Sequence, residues 1–523
     1  MLPVRIIPRL DVKGNNLVKG VHLEGLRVLG LPEHFAKEYY QAGADELIYM
    51  DVVASLYGRN NLEDVIRRTA ESIFIPITAG GGVRSIEDVR KLLRAGADKV
   101  AINTAATKNP ELIREVAEVF GSQCMVLSVE AIKSGPGQYQ VYTDNGREPT
   151  GRDVLDWVRQ AVELGAGEIL LTSVDQEGTG QGYDLDLVRM VTNAVSIPVI
   201  AHGGAGKPAH VADLLKNTDA SAACCSSIIH YHLLEDMGIH KREEGNVDYL
   251  KQFVRGGKSV LDIFQTTDVG RLKRFLVGEE LKCVCEDAES GSDDGFVAPA
   301  VIKLGGTVAR PKVRVGIPEY GRGNLFSLEQ ALRYAGGEVV VTSDPDDLAR
   351  CDKLVLAGVG SFSDCMSKLN ADGLGEAVRE LASSGTPLLG ICLGMQLLFE
   401  RGHEFGMHQG LGLLPGDVVQ MRGGAGSDAV RIPHIGWNSI RPTEALSGPA
   451  WELLKNVSAG DRFYFVHSFM VAASGQDFQS AVTSYGPNRF CSVVVRENLF
   501  GCQFHPERSG LRGLHIYENW IKL

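Results

Sequence analysis

The first half of the chain contains an internal repeat, and this repeat limits the possible fold more than any other feature. Residues 42–48 recur 122 positions later as 164–170, and residues 75–82 recur at the same spacing as 197–204. Each copy has short strands that are apolar throughout and are separated by amphipathic helices, a pattern typical of parallel sheets covered by helices. Two copies of four strands therefore predict a closed (β/α)8 TIM barrel over about residues 1–235, because two separate half-sized sheets would leave exposed edges.

The chain of 523 residues is too long for the barrel alone, so we expect a second domain. An apolar strand just after residue 310 begins a new alternation of strands and helices, which predicts a second α/β domain. An acidic, Ser/Gly-rich run precedes it and is typical of an exposed linker. Amphipathic stretches at 247–254 and 271–276 predict helices appended to the barrel. We predict a barrel domain with these helices at 1–281, a linker at 282–310 and the second domain at 311–523.

Composition excludes several classes of protein. The hydrophobic fraction of 44% and the charged fraction of 23% are those of a folded globular chain. With 53 basic and 65 acidic residues, the net charge of −12 argues against nucleic acid as a partner. Apolar stretches of about 20 residues are absent, which argues against a membrane span. The start of the chain does not resemble a secretory signal, and the scattered cysteines suit a reducing compartment, so we expect a cytoplasmic protein without metal or cofactor.

Glycines and small polar residues follow the predicted strands at equivalent points of the two repeat copies. Active sites of such barrels lie where strands end, and backbone N–H groups at glycines and helix N-termini bind phosphate well. Two equivalent sites predict a substrate with a phosphate at each end, although glycines that only form tight turns would give the same pattern. The predicted phosphate-binding residues are Gly81, Gly82, Asn103, Thr104, Gly203, Gly204, Ser226 and Ser227.

Two carboxylates end equivalent strands of the barrel. Asp11 ends the first strand and Glu130 ends the fifth, so we expect them to face each other across the barrel. Opposed carboxylates suit general acid and base catalysis on the middle of a substrate that is held at both ends. The alternative is that one of them only pairs with Lys13 or Lys19.

The second domain contains the pattern of a cysteine nucleophile. Cys392 lies in a Gly-X-Cys-X-Gly turn between an apolar strand and a helix, which predicts a nucleophile elbow, although a buried structural cysteine would fit as well. His505 and Glu507 near the C-terminus would supply a base and the carboxylate that orients it. A glycine-rich loop after another strand, at 357–361, would supply backbone donors for an oxyanion. His434 and His467 remain alternatives as the base or as interior residues.

Both halves of the chain resemble known families through these motifs. The C-terminal half is similar to the class I glutamine amidotransferases, and within them to the glutaminase subunit of the imidazole glycerol phosphate synthase family. The motifs that carry this resemblance are residues 390–396, 503–507, 320–325, 433–438 and 464–468. The N-terminal half is similar to the cyclase subunit of the same family, through residues 5–8, 79–82, 101–105 and 201–206.

The resemblance implies a two-step chemistry of histidine biosynthesis. Cys392, activated by His505 and Glu507, would hydrolyse glutamine to glutamate and ammonia. Ammonia would travel through the barrel and react with a phosphorylated ribonucleotide, the ribulosyl-formimino aminoimidazole carboxamide ribonucleotide. The products would be imidazole glycerol phosphate and aminoimidazole carboxamide ribotide. The glutaminase would dock on the barrel face opposite the cyclase site.

The resemblance also assigns further residues. Gln396 would hold the glutamine substrate, and Lys19 would lie on a mobile loop over the cyclase site. The oxyanion loop would be formed by Gly358, Val359 and Gly360. A ring of charged residues would gate the ammonia path, and its members would be Arg5, Glu46, Lys99 and Glu168.

The chain departs from the family pattern at four points. Glu130 stands where the family has aspartate, and Arg9 replaces a cysteine and places a large cation beside Asp11, where it would take up substrate space. Ala357 replaces a proline before the oxyanion glycines, and the cyclase precedes the glutaminase. Two functions therefore stay open. One is a working bifunctional synthase, and the other is a diverged relative that supplies ammonia from glutamine to another amidating enzyme, for example in surface-sugar biosynthesis. A third alternative, disfavoured relative to these two, is that the barrel is purely a binding or allosteric scaffold.

Overall fold

The structure of the chain is a computed structural model. It describes residues 2–54, 62–236, 253–254, 258–259, 263–284, 313–321, 324–371, 373–443, 446–472 and 478–523. The described residues fall into two compact units, one containing nearly all of those before residue 302 and the other containing those after it. The predicted linker lies outside the described residues from position 285 onward.

The first unit is built around parallel strands that alternate with helices. Its described strands are β1 (Arg5–Lys13), β2 (Asn16–Val21), β3 (Glu24–Gly30), β4 (Leu47–Asp51), β5 (Ile77–Gly80), β6 (Lys99–Ile102), β7 (Met125–Gly135), β8 (Gln138–Thr143), β9 (Glu148–Asp153), β10 (Glu168–Ser173), β11 (Val199–His202), β12 (Ala222–Cys225), β13 (Phe253–Val254) and β14 (Lys258–Ser259). Its described helices are α1 (Pro32–Gln41), α2 (Leu62–Ala70), α3 (Ile86–Ala95), α4 (Thr104–Lys108), α5 (Glu111–Phe120), α6 (Val154–Glu163), α7 (Leu185–Ala194), α8 (Pro208–Asn217), α9 (Ser227–Asp236) and α10 (Val269–Gly278).

The predicted eight-stranded barrel is confirmed. Parallel pairing runs from β1 through β4, β5, β6, β7, β10, β11 and β12, and β12 pairs again with β1, which closes the sheet. The repeat is visible in the register, because Leu47 lies opposite Ile77 in one half and Ile169 lies opposite Val199 in the other. The barrel strands are buried almost throughout, as expected for strands with a packed interior and an outer layer of helices.

Antiparallel hairpins extend two of the barrel strands, and the sequence did not predict them. Strand β1 continues into β2 and β3, and β7 continues into β8 and β9. These hairpins leave the ends of the two equivalent strands that carry Asp11 and Glu130. They obey the twofold repeat, so both halves of the barrel have the same excursion next to the predicted site.

The amphipathic helices predicted between the barrel strands are present. Helix α3 shows why, because its apolar residues Val89, Leu92 and Leu93 recur at helical spacing and are buried. The side chain of Ser85 caps this helix by accepting a hydrogen bond from the N–H of Asp88. The appended helix predicted at 271–276 lies within α10. Of the stretch predicted as a helix at 247–254, only the last two residues are described, as strand β13 paired with β14.

The second unit has a mixed sheet with helices on it. Its described strands are β15 (Arg314–Pro318), β16 (Glu338–Thr342), β17 (Lys353–Gly358), β18 (Leu388–Cys392), β19 (Phe399–Gly402), β20 (His408–Gln409), β21 (Leu414–Gln420), β22 (His434–Ser439), β23 (Arg441–Pro442), β24 (Arg462–His467), β25 (Phe469–Val471), β26 (Gln479–Tyr485), β27 (Asn488–Arg496) and β28 (Leu499–Cys502). Its described helices are α11 (Leu325–Tyr334), α12 (Pro345–Leu348), α13 (Phe362–Ala371), α14 (Leu374–Ser383), α15 (Leu393–Leu397), α16 (Gly448–Leu453) and α17 (Gly510–Lys522).

The strand order in this sheet is β16-β15-β17-β18-β28-β27-β26-β23. The first five are parallel, and β27, β26 and β23 add antiparallel pairs. Strand β18 therefore lies between β17 and β28, and the polar loops that follow these three strands meet at one edge of the sheet. Among the residues that the structure describes, no helix has both the length and the apolar character needed to cross a membrane.

Candidate active sites

Cys392 lies on the strained turn that the sequence predicted. It is the last residue of β18 and has a positive φ of 51°, a conformation that non-glycine residues rarely adopt. The two flanking glycines are required by space. A Cβ added to Gly390 would lie 2.6 Å from the Cα of Met395, and one added to Gly394 would lie 1.8 Å from the carbonyl oxygen of Leu356. The Gly-X-Cys-X-Gly pattern therefore allows β17, β18 and the turn to pack closely.

His505 and Glu507 lie beside Cys392 because β28 pairs with β18. Ile391 is opposite Cys502, so the chain that leaves β28 brings His505 within hydrogen-bonding reach of the thiol. His505 Nδ1 donates to Glu507 Oε1 at 2.7 Å. Burial alone would lower the pKa of His505, but the negative charges of Cys392 and Glu507 outweigh it and hold that pKa well above its usual range. The site therefore favours the protonated form of the His505 imidazole, as a base that takes up a proton requires.

Tyr517 on α17 extends the row of side chains that Cys392, His505 and Glu507 form. Its hydroxyl donates to Glu507 Oε2 at 2.8 Å. Burial raises the pKa of Glu507, but the charge of His505 and the hydrogen bonds that Glu507 accepts lower it, so that its pKa lies below the ordinary value. Tyr517 is a residue of the site that the sequence analysis missed, since nothing in the local sequence links it to Glu507.

The two other candidate bases lie in the interior, away from any described carboxylate partner. His434 Nδ1 and His467 Nε2 are 3.0 Å apart, and His467 Nδ1 is 2.8 Å from the carbonyl oxygen of Phe469. Burial lowers the pKa of both, to about 4 for His467, so both rings are neutral near pH 7. A neutral His467 must donate from Nδ1 to the carbonyl and accept at Nε2 from His434. Their hydrogen bonds are those of satisfied interior histidines.

Gln396 is held close to Cys392 by a second glutamine. Its Nε2 donates to the carbonyl oxygen of Phe469 at 2.9 Å and to Gln503 Oε1 at 3.0 Å. Gln503 Nε2 in turn donates to the sulfur of Cys392 at 3.7 Å. All three side chains are buried. Gln503 was part of a quoted motif, but its contact with the thiol could not be read from the sequence.

The predicted oxyanion loop follows β17 and lies next to the nucleophile. Gly358 is opposite Cys392 in the sheet, and Gly360 has a φ of 132°, which favours glycine. The hydroxyl of Tyr320 donates to the carbonyl oxygen of Ala357 at 2.6 Å, which fixes the start of the loop. At its end, Glu404 Oε2 accepts a hydrogen bond from the N–H of Phe362 at 2.8 Å. Burial raises the pKa of Glu404 to about 7.

The barrel contains a cavity of about 290 Å³ where several predicted residues meet. Residues at or after the ends of β4, β5 and β6 line it together with residues of β1 and β7, and the predicted ones among them are Gly81, Gly82, Asn103, Thr104 and Glu130. Gly81 has a φ of 95°, and a Cβ added there would lie 2.2 Å from the carbonyl oxygen of Asp51. Only glycine therefore lets this loop follow the cavity wall. Asn103 and Thr104 lie at the start of α4, next to the same cavity.

Glu130 is one of the two carboxylates, with Asp51, that line this barrel cavity. It is buried, and the N–H of Gly146 in the β8–β9 turn donates to its Oε2 at 2.8 Å. Burial raises the pKa of Glu130 to about 7, although the bond from Gly146, the charge of Arg9 and a bond from Asn103 all lower it. A carboxyl group that titrates near neutrality is suited to proton transfer.

Asp11 is paired with Arg9 and not with either lysine. Arg9 Nε donates to Asp11 Oδ1 at 2.8 Å, and both side chains are buried inside the barrel. Arg9 Nη1 also lies 3.2 Å from Thr172 Oγ1 and 3.2 Å from His202 Nδ1. Arg9 points into the barrel and lines the cavity. This position agrees with the expectation that Arg9 takes up substrate space. Burial and the charge of Arg9 lower the pKa of His202, so this imidazole is neutral and can accept a hydrogen bond from Arg9.

The second predicted phosphate site lies at the equivalent point of the other half. Gly203 and Gly204 have φ values of 103° and 105°, and Ser226 Oγ is 3.3 Å from His202 Nε2. Ser227 begins helix α9 and is buried. The structure thus places Gly203, Gly204, Ser226 and Ser227 after β11 and β12, but a Cβ on Gly204 would lie 1.9 Å from the carbonyl oxygen of Gly182. Close backbone packing is therefore one reason why position 204 requires glycine.

Lys19 does not lie on a loop, contrary to expectation. It is in strand β2, is buried and forms an ion pair with Glu177, and its Nζ also donates to the carbonyl oxygen of Gly20 at 3.1 Å. A buried ammonium group needs such partners, and Glu177 comes from a segment far away in the chain. Glu177 Oε2 also accepts a hydrogen bond from the N–H of Leu23 at 2.9 Å, which ties the β2–β3 hairpin to the barrel.

The four predicted gate residues form a closed ring of ion pairs, which we call the charged ring. Arg5 donates to Glu46 at 2.7 Å and to Glu168 at 2.6 Å, and Lys99 donates to the same two carboxylates at 2.8 and 2.7 Å. All four side chains are at most 1% exposed. They lie at the beginnings of barrel strands, opposite the end that carries Glu130. Burial raises the pKa of Glu46, but Arg5 and Lys99 lower it below its ordinary value.

Comparisons with known proteins agree with both halves. The family model described as "Histidine biosynthesis protein" matches residues 5–235, and that described as "Glutamine amidotransferase class-I" matches 317–523. The protein described as imidazole glycerol phosphate synthase subunit HisF from Legionella pneumophila is 66% identical over 207 residues, which cover 40% of this chain and 98% of that protein. The chain belongs to the imidazole glycerol phosphate synthase family.

Other HisF subunits support this assignment. The subunit from Methanopyrus kandleri is 49% identical over 264 residues, covering 47% of this chain and 97% of that subunit. The subunit from Streptococcus sanguinis is 50% identical over 231 residues, which cover 44% of this chain and 92% of that subunit. A HisF-type cyclase domain is thus fused to a class I glutamine amidotransferase domain, with the cyclase first, in a bifunctional enzyme of histidine biosynthesis. Its domains imply glutamine and a ribonucleotide as substrates.

Proposed function

We propose that the second unit hydrolyses glutamine by covalent catalysis at Cys392. His505 takes the thiol proton, and the thiolate attacks the amide carbon of glutamine. Backbone N–H groups of the loop 358–360 stabilise the oxyanion, and His505 returns the proton to the leaving ammonia. Water then hydrolyses the thioester and releases glutamate. Glu507 holds the imidazole in the required orientation, and Gln396 holds the glutamine.

The barrel is proposed to use this ammonia to cyclise the ribulosyl-formimino aminoimidazole carboxamide ribonucleotide. Gly81, Gly82, Asn103 and Thr104 would bind one phosphate, because they combine backbone N–H groups with the start of a helix. The second phosphate would bind at the equivalent residues of the other half, which are Gly203, Gly204, Ser226 and Ser227. Glu130 and Asp11 would move protons on the middle of the substrate. Imidazole glycerol phosphate and aminoimidazole carboxamide ribotide would be the products.

Ammonia is proposed to enter the barrel through the charged ring and to leave it beside Glu130. This requires that the glutaminase domain, 311–523, docks on the barrel domain, 1–281, at the face that carries the ring, with 282–310 as the connection. Lys19 is proposed to act at the cyclase site from its position in the hairpin. Nucleic acid and membranes are not expected as partners, and the cytoplasmic location stays a prediction.

The observation that supports this proposal best is the row Cys392, His505 and Glu507 in a chain that also contains a HisF-type barrel. The test is to measure imidazole glycerol phosphate formed by the purified chain from glutamine and, separately, from ammonium salts. We expect product from both sources, and glutamate in equal amount to the product formed from glutamine. Glutamine hydrolysis without product from either source would contradict the proposed cyclase reaction.

The Arg9–Asp11 pair favours a second candidate function. Arg9 neutralises one of the two proposed catalytic carboxylates and takes up part of the barrel interior. A slowed cyclase would leave ammonia for another amidating enzyme. Complementation of a histidine auxotroph distinguishes the two functions, with the Arg9→Cys chain as the matched comparison. Growth with the unaltered chain supports the synthase, whereas growth only with Arg9→Cys supports the second candidate.

A further inference from the structure

Asp45 links strands β1 and β4 at residues that adjoin two members of the charged ring. The N–H of Ile6 donates to Asp45 Oδ2 at 2.7 Å, and the N–H of Asp45 donates to the carbonyl oxygen of Ile6 at 3.2 Å. Ile6 follows Arg5 in the chain, and Asp45 precedes Glu46. The position of Asp45 therefore fixes the backbone from which both Arg5 and Glu46 reach into the ring.

Lys273 of the appended helix α10 holds Asp45 in place. Its Nζ donates to Asp45 Oδ1 at 2.6 Å, to the carbonyl oxygen of Gly43 at 2.6 Å and to that of Val284 at 2.9 Å. These three acceptors use all three protons of the ammonium group. Both charged side chains are buried, so loss of either would leave the other without its counter-charge.

The end of the appended segment also attaches to β1 on the other side of Arg5. The N–H of Val4 donates to the carbonyl oxygen of Lys282 at 2.7 Å, and Val4 pairs with Cys283 as a parallel bridge. The segment 269–284 thus holds the backbone directly before Arg5, through Val4, and directly after it, through Asp45 and Ile6. A helix with no chemistry of its own is in this way connected to the proposed ammonia gate.

We propose that Lys273 is a positioning residue for the charged ring, which it keeps closed by holding Asp45 against strand β1. The proposal rests on the proposed role of the ring as an ammonia gate. Loss of Lys273 would let Asp45 and the start of β1 move, so that Arg5 and Glu46 no longer meet as shown. Ammonia from glutamine would then escape before it reaches the cyclase site.

The test compares Lys273→Met with Lys273→Arg and with Lys216→Met. Lys216 of α8 makes an ion pair at 2.5 Å with Glu279, which directly follows α10, but both side chains are exposed, so Lys216→Met is a matched control. Glutamate, imidazole glycerol phosphate and free ammonia are measured together. We expect Lys273→Met to release several-fold more glutamate than imidazole glycerol phosphate, with turnover at saturating ammonium unchanged. Lys273→Arg and Lys216→Met should both release glutamate and imidazole glycerol phosphate in equal amounts.

A double variant separates positioning from simple loss of folding. Asp45→Asn with Lys273→Met removes both buried charges and keeps an acceptor for the N–H of Ile6, so it should fold while α10 no longer holds residue 45. We expect this folded variant to leak ammonia as well. Equal amounts of glutamate and imidazole glycerol phosphate in it, or in folded Lys273→Met, would overturn the proposal.

Hydrogen exchange provides a readout that does not depend on cyclase activity. The amides of Ile6 and Glu46 should exchange faster in Lys273→Met than in the unaltered chain, and Lys216→Met should not change them. Unchanged exchange at both amides would overturn the positioning role. If the unaltered chain hydrolyses glutamine but forms no imidazole glycerol phosphate, the proposed function fails while the exchange result still decides the role of Lys273.

Discussion

Glu130→Gln should stabilise the barrel and at the same time abolish the cyclase reaction. Burial raises the pKa of Glu130 from 4.5 to about 7, and the groups that face it are Arg9, Asn103, Gly146 and Asp144, of which only Asp144 adds to the rise. The folded protein therefore binds a proton that the unfolded chain has released in this pH window. Stability that is present below pH 4.5 is lost as the pH rises through about 7.

The size of the effect follows from the difference in pKa between the two states. Each pKa unit corresponds to about 1.4 kcal/mol, so burying the ionised carboxylate costs roughly 3 kcal/mol above neutral pH. Glutamine has no charge to bury and its side-chain oxygen can still accept the N–H of Gly146. Glu130→Gln should therefore raise the free energy of unfolding by roughly 3 kcal/mol at about pH 8 and by much less at about pH 4.5.

The assay is urea unfolding of both proteins across this pH range, followed by a signal from the barrel. Glu404→Gln is the matched control, because burial raises the pKa of Glu404 to about 7 as well, but in the second unit. It should stabilise that unit and leave the barrel transition unchanged. An increase in the free energy of unfolding of Glu130→Gln that is the same at low and high pH would refute the reasoning. Retained cyclisation with ammonium salts would refute it as well.

Three further predictions concern the nucleophile, its turn and the charged ring. Cys392→Ala should abolish glutamine-dependent product and leave ammonia-dependent product intact, and loss of both activities in folded protein would contradict the division of labour. Gly394→Ala should lower glutaminase turnover by about 100-fold, because the added Cβ has no room and moves the thiol, and a turnover assay at saturating glutamine checks this. Lys99→Met should lower the free energy of unfolding by about 3–5 kcal/mol, since it leaves excess buried negative charge, and adding Glu46→Gln should recover much of the loss in urea unfolding.

The repeat made the barrel predictable, and it did so for a physical reason. Parallel strands that are buried on both faces must be apolar throughout, so their positions and spacing are written in the sequence. The hairpins after β1 and β7 were missed because their strands are half-exposed and polar, as the alternating burial of Gln138–Thr143 shows. Such strands have no strong apolar pattern. The sequence signal for the second hairpin is the turn Asp144-Asn145-Gly146, whose residue types tolerate the positive φ values that they adopt.

Residues of the site were predictable where one local motif defines their role, and not where a distant partner does. The turn around Cys392 is such a motif, because its glycines are needed for packing. The choice of His505 over His434 depends on a carboxylate contact that only the folded chain shows. Lys19 was misplaced for the same reason, because its partner Glu177 is 158 positions away in the chain.

If ammonia follows the proposed path, the charges along the barrel axis would let the interior pass ammonia and exclude ions. At the proposed entrance the charged ring combines two cations with two anions, so its net charge is zero and each cation contacts both carboxylates. At the other end Arg9 balances the charge of Asp11, and Glu130, with its pKa raised to about 7, carries a proton about half of the time at pH 7. An ammonium ion would have to lose its hydration and displace Lys99 or Arg5 from a carboxylate, at high cost in a buried site. Neutral ammonia needs only a small opening of the ring, so residues that fix the ring's backbone would decide whether it reaches Glu130 or escapes.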